Sequence, residues 1–130
     1  MKCFVDISIK HSGGIRKGNG EGVVTIWTIV NGQRKESGPY TVSVEDESIN
    51  ALAIRSVNEA LKHFKKTGQE IEIRMEVPYV RANIQYLEGW HKKDYRASKG
   101  KAIANEEQWR LLWMHMQNHR ISFPVRYEAV

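Results

Sequence analysis

Residues 70–90 read EIEIRMEVPYVRANIQYLEGW, and the apolar period changes in the middle of the stretch. Ile71, Ile73 and Met75 alternate with Glu70, Glu72 and Arg74, which is the pattern of a half-buried strand. Val77-Pro78 then opens a helix with proline in its first turn, and Val80, Ile84 and Leu87 share one helical face. A strand that runs directly into a helix is half of a crossover unit, so this stretch predicts an α/β fold. Between the two patterns stands Glu76. A carboxylate at a strand tip either favours the dipole of the helix that follows or is aimed at a ligand.

The rest of the chain supplies the sheet. Lys2 to Lys10 alternates, with Cys3, Val5, Ile7 and Ile9 on one side and Lys2, Phe4, Asp6, Ser8 and Lys10 on the other. HSGGIRKGNGEG (11–22) carries five glycines and no period, and reads as a flexible loop. Two β-rich runs flank Asn31-Gly32, a strong hairpin signal. EDES (45–48) suits helix capping, and Ile49, Leu52, Ala53, Val57, Ala60, Leu61 and Phe64 follow at helical spacing, ended by KKTG with Gly68 as C-cap. Residues 88–102 have no apolar period and carry lysines or arginines at 92, 93, 96, 99 and 101, a basic loop. A helix capped by Asn105 and bearing Trp109, Leu112, Trp113 and Met116 precedes a last strand in RISFPVRYEAV. The predicted architecture is a single α/β domain over residues 1–130, a mixed five-stranded sheet of order 3-2-1-4-5 with helices on both faces.

Composition sets the class. A chain of 130 residues with 41% hydrophobic residues and four Trp can bury a core without disulfides or metals. No apolar run approaches the roughly 20 residues that span a bilayer, which argues against a membrane partner. The N-terminus does not read as a secretory signal, since Asp6 interrupts its apolar run. A lone Cys3 makes the cytoplasm the expected compartment. The net charge of +5 permits a nucleic-acid partner without requiring one.

The order of elements resembles the ribonuclease H family over nearly the whole chain. The resemblance rests on the strand bearing Asp6, on GNGEG (18–22), on MEVPYVRANIQYLEGW (75–90), and on the basic GWHKKDYRASKGKAIANEEQW (89–109). It implies a ribonuclease H-like fold and a metal-dependent endonuclease acting on the RNA strand of an RNA/DNA hybrid. It also implies a carboxylate cage holding two Mg2+ or Mn2+ ions about 3.5 to 4 Å apart. Asp6 and Glu76 match two metal ligands of that cage, and Glu76 is one methylene longer than the family's usual Asp. Asn50 falls where the family has a helix Glu, and Asp46 or Glu47 is the nearest acid that could substitute for it. Glu128 is the remaining acid near the C-terminus and matches no motif, and the family's last helix has no counterpart after the fifth strand. Asn19 and Lys17 in the glycine-rich segment, and Trp90, Lys92, Lys93, Arg96, Lys99 and Lys101 in the basic segment, are the implied nucleic-acid contacts, with Tyr95 a further stacking surface.

Each assignment has a plain structural alternative. Asp6 could be a solvated strand residue or an ion-pair partner, Asp46 and Glu47 could cap the helix, and the basic segment could be an ordinary loop. His115 and His119, four residues apart at a helix end, read as residues favoured there by their charge rather than as a metal site. Trp109 and Trp113 read as core. Beside a nuclease stand two other readings, a binding domain that has lost the chemistry, and a protein-interaction domain using the apolar end from Phe123 to Val130. The sequence leaves the oligomeric state open.

Overall fold

The structure, a computed structural model, describes residues 1–127. Strand β1 (Lys2–His11) pairs antiparallel with β2 (Gly18–Val30), and β2 pairs antiparallel with β3 (Gln33–Glu47). Helix α1 (Ile49–Leu61) crosses to β4 (Glu70–Met75), which lies parallel to β1. Helix α2 (Tyr79–Asn83), a 3-10 turn (Ile84–Tyr86) and α3 (Leu87–Lys92) follow, then a second 3-10 turn (Ser98–Gly100), α4 (Glu106–Asn118) and β5 (Arg120–Ser122), parallel to β4. The sheet order is β3-β2-β1-β4-β5, as the sequence predicts. Asn31 and Gly32 both take positive φ (52° and 76°), the backbone that a two-residue hairpin with strand-matched twist requires.

One face of the sheet carries the core. Val5, Ile7, Val24, Ile71, Ile73 and Met75 point to it and meet Ile54, Val57 and Leu61 of α1, Val80, Leu87, Trp109 and Leu112. Where helices on both faces were expected, the described helices that build this core gather on this one face. The outer face is covered by side chains instead: Phe4 stacks on Trp27 at 4.2 Å, and the Arg74 and Arg34 guanidinium groups lie over these rings at 4.6 and 4.1 Å.

Several local readings change. Gly18, Gly20 and Gly22 lie within β2, not in a flexible loop. The smallness of Gly20 and Gly22 lets α1 sit close: a Cβ on Gly22 would run into Ser56 Oγ, and one on Gly20 would meet Leu52 Cδ2 at 2.9 Å. Asp46 and Glu47 end β3, and Ser48 is the α1 N-cap, accepting from the Ala51 N–H. Helix α1 stops at Leu61, before Phe64, with Lys62 rather than Gly68 as its C-cap. The basic segment is partly helical, because α3 runs to Lys92. Trp90 therefore packs edge-on against fully buried Trp109 (5.2 Å between centroids). Trp109 donates its indole N–H to Tyr79 Oη at 3.0 Å, and Asn105 Nδ2 donates to the same oxygen at 3.1 Å, which ties α4 to α2.

His115 and His119 are buried, and burial holds both below the ordinary imidazole range, His115 further lowered by the charge of His119. Burial thus favours the neutral imidazole at both positions and opposes the charge that a helix end would favour. An unfolded imidazole takes up a proton near pH 6.5, so the unfolded state binds more protons as pH falls, and stability drops with it. The melting temperature is expected to fall from pH 7 to 5, and His115→Leu should flatten that fall. Glu72 behaves differently: burial opposes its charge, but hydrogen bonds from Lys2 and Arg74 outweigh it and lower its pKa, so its contribution is lost only below about pH 4.5. Gly22→Ala should cost about 1–3 kcal/mol by urea unfolding, as overpacking does, and most of that should return when Ser56→Ala is added.

Candidate functional site

The two acids read as metal ligands stand at the middle of β1 and just past the end of β4. Asp6 lies opposite Thr25 on β2 and Arg74 on β4, on the outer face. Its Oδ2 accepts the Trp27 indole N–H at 2.8 Å, so the carboxylate is part of the layer of rings and guanidinium groups that covers this face. Glu76 stands one residue beyond β4, exposed, and its carboxylate has no partner among the described residues.

The helix side of the cage does not close. Asn50 is the second residue of α1 and offers only a neutral amide. Glu47 turns its carboxylate to Arg55 (3.5 Å), while its backbone oxygen accepts from His11 Nε2 at 2.7 Å. The Asp46 amide donates to Asn19 Oδ1 at 3.1 Å, which uses Asn19 to tie the start of β2 to the end of β3. Among the described residues no three His, Cys, Asp or Glu side chains stand close enough to hold a metal ion. Two cations a few ångströms apart need several anionic oxygens around them. The donor set here, one carboxylate bonded to Trp27 and one free, beside the cationic Arg74, does not fit that pair. Glu128 falls outside the described residues.

The basic segment makes a groove of about 530 Å3 lined by Tyr86, Trp90, Lys93, Arg96 and Ile103. Trp90 is half-buried there and Tyr86 is 53% exposed, with ring centroids 6.0 Å apart. Tyr95, read as a stacking surface, is instead in the core under the Arg110 guanidinium. Tyr86 is the residue the sequence reading missed; its place four residues before Trp90 was the available signal.

The cations of the segment divide into two kinds. Arg96 is held by Glu106 at 2.6 Å and Lys92 by Glu88 at 3.4 Å. Arg110 bridges Asp94 and Glu106, and its hydrogen bonds keep both carboxyls below their usual range. Lys93, Lys99 and Lys101 enter no ion pair among the described residues, nor does Lys17.

With this geometry in view, comparison with known proteins places the chain. The RNase H family model matches residues 3–125. The chain belongs to the ribonuclease H family. It is 31% identical to the ribonuclease H of Thiobacillus denitrificans over 121 residues, 89% of this chain and 77% of that enzyme. It is 29% identical to the Thermus thermophilus ribonuclease H over 76 residues, 57% of this chain and 45% of that enzyme. Among solved structures, LC9-RNase H1, a type 1 RNase H with the type 2 active-site motif, shares the fold at a TM-score of 0.77 and 22% identity, covering 98% of this chain and 64% of that one. LC11-RNase H1 in complex with RNA/DNA hybrid gives a TM-score of 0.63 at 16% identity, covering 94% and 83%.

In this ribonuclease H fold Asp6 has a structural task that a substitution series can isolate. Asp6→Asn keeps an oxygen for the Trp27 N–H and should cost well under the value for Asp6→Leu. The latter strands a buried donor and should cost about 1–3 kcal/mol in urea unfolding.

Proposed function

We propose that this protein binds RNA/DNA hybrid duplex through its backbone, independently of sequence, and does not cut it efficiently. Support for the binding half comes from family membership and from the relative whose structure is described in complex with RNA/DNA hybrid. It comes also from the groove that sets Tyr86 and Trp90 beside Lys93, with Lys99 and Lys101 in the same segment. Lysines neutralise phosphates and aromatic faces pack on the sugar-phosphate backbone without regard to sequence, and hybrid duplexes add 2'-hydroxyls as contacts.

The observation that carries the second half is the engagement of the acids. Asp6 is bonded to Trp27 and Glu47 is turned to Arg55, so the carboxylates a two-metal reaction needs do not converge. We regard the site as a degenerate one that keeps the grip of the family. A weak Mg2+- or Mn2+-dependent endonuclease is the second reading, favoured by the shared outer face of Asp6 and Glu76. A protein-interaction role has less support, because Phe123 of the apolar C-terminal end packs on the core, although Val125 is 72% exposed. No described helix is long and apolar enough to cross a membrane, and a cytoplasmic setting is proposed from the single cysteine.

One assay separates these readings. An end-labelled hybrid is incubated with the protein in Mg2+ and then in Mn2+, with affinity read by anisotropy in parallel. The expected outcome is binding that weakens steeply with salt and no cleavage above that of Asp6→Asn. Replacing Lys93, Lys99 and Lys101 by Ala should lower the slope of log affinity against log salt by about 0.9 for each phosphate that is no longer neutralised. Cleavage that disappears in Asp6→Asn would instead establish the endonuclease.

A further inference from the structure

The parallel register of β1 with β4 decides which residues stand beside Glu76. Asp6 pairs with Arg74 and Ile7 with Met75, the last rung, so the register continued past the end of β4 sets Ser8, not Asp6, beside Glu76. The following β1 residue on the same face is Lys10, about 6.6 Å further on at about 3.3 Å per residue. The outer-face positions of β1 from Glu76 outward therefore hold a hydroxyl and an ammonium where a metal cage would need a second carboxylate.

Lys10 is exposed and forms no ion pair among the described residues. It lines a concavity of about 530 Å3 with Ser12, Asn19, Ser43 and two carboxylates, Glu21 and Glu45. The loop that borders this concavity is held in place: the Ser12 N–H donates to Asn19 O at 2.9 Å, and the Asn19 N–H to Ser12 Oγ at 3.0 Å. His11 is fully committed, accepting from the Gly13 N–H at Nδ1 and donating from Nε2 to Glu47 O. That hydrogen-bond pattern assigns the neutral tautomer and leaves no nitrogen for a ligand. Lys10 is thus the free cationic group of the concavity. A lysine ammonium is a compact charge that binds phosphate oxygens by charge-assisted hydrogen bonds.

We infer that Lys10 holds a backbone phosphate of the bound duplex directly, so that binding needs no divalent cation. The inference rests on the hybrid-binding reading above and assigns to one side chain the charge that a cation supplies in a complete cage. The competing role for Lys10 is local, balancing Glu21, its cross-strand neighbour, and Glu45 on the same concavity.

The test uses the whole chain, a fluorescently labelled RNA/DNA hybrid, and buffers of equal ionic strength containing Mg2+ or EDTA. Wild-type affinity should differ less than about twofold between them. Lys10→Ala should weaken binding about three- to tenfold and reduce the salt slope by about 0.9, the amount that one neutralised phosphate contributes. Lys10→Arg should retain wild-type affinity, with unchanged melting temperatures confirming folding of both variants. A tenfold loss of affinity on chelation overturns the inference. So does wild-type affinity in Lys10→Ala, or its recovery when Glu21→Gln is added to Lys10→Ala. Absence of wild-type binding overturns the hybrid-binding reading together with this inference, whereas binding that Lys10→Ala leaves intact overturns the inference alone.

Discussion

The parallel pairing of β1 with β4 is the constraint on which the rest of the site depends. It is the seam between the antiparallel hairpins and the crossover half of the fold, and it is made by six rungs from Lys2↔Glu70 to Ile7↔Met75. Side-chain alternation about this seam sends Val5, Ile7, Ile71 and Ile73 into the core and leaves Asp6, Lys10, Arg74 and, beyond the strand, Glu76 for the other face. The same rungs separate Asp6 from the tip where Glu76 stands. Charge at the tip follows from register before any ligand is considered.

The outer face shows how a sheet can be covered without a helix among the described residues. Phe4 and Trp27 bury each other, Arg34 and Arg74 lie over their rings, and Asp6 receives the indole N–H. Trp27 is only 5% exposed, so its N–H needs an acceptor, and Asp6 is the one it has. The carboxylate that the family resemblance assigns to metal thus already satisfies a buried donor. On the opposite face, α1 rests on Gly20 and Gly22, and α2 and α4 are joined through the Tyr79 hydroxyl. Trp90 rides on Trp109, so the basic segment is fastened to the core at its start while Lys93, Lys99 and Lys101 stay free of ion pairs among the described residues.

Sheet order was legible because its signals are local: the Asn31-Gly32 turn, the change of period at Glu76, and the proline after it. What misled were segments whose composition allows two structures. Five glycines in residues 11–22 read as loop, yet three of them are strand residues, and two of these, Gly20 and Gly22, are kept small by the approach of α1. EDES reads as a capping cluster, yet only Ser48 caps and the acids extend β3. The basic segment hides α3 because its core contacts, Leu87 and Trp90, sit among lysines. The site was legible in its parts and not in its geometry. A period of two tells which face a residue takes, not which rung it stands on, and so Asp6 and Glu76 could be read as neighbours while Lys10 went unnoticed.

The central claim, that the tip of the sheet and the α3 groove grip a hybrid duplex without a metal, is tested most directly by amide chemical shifts. Isotope-labelled protein would be titrated with an RNA/DNA hybrid in EDTA. The account predicts perturbations concentrated at Lys10, Asn19 and Glu76 and along Tyr86 to Lys101. Perturbations absent there, or confined to the groove between α1 and α4 around Asn58 and His115, would contradict it.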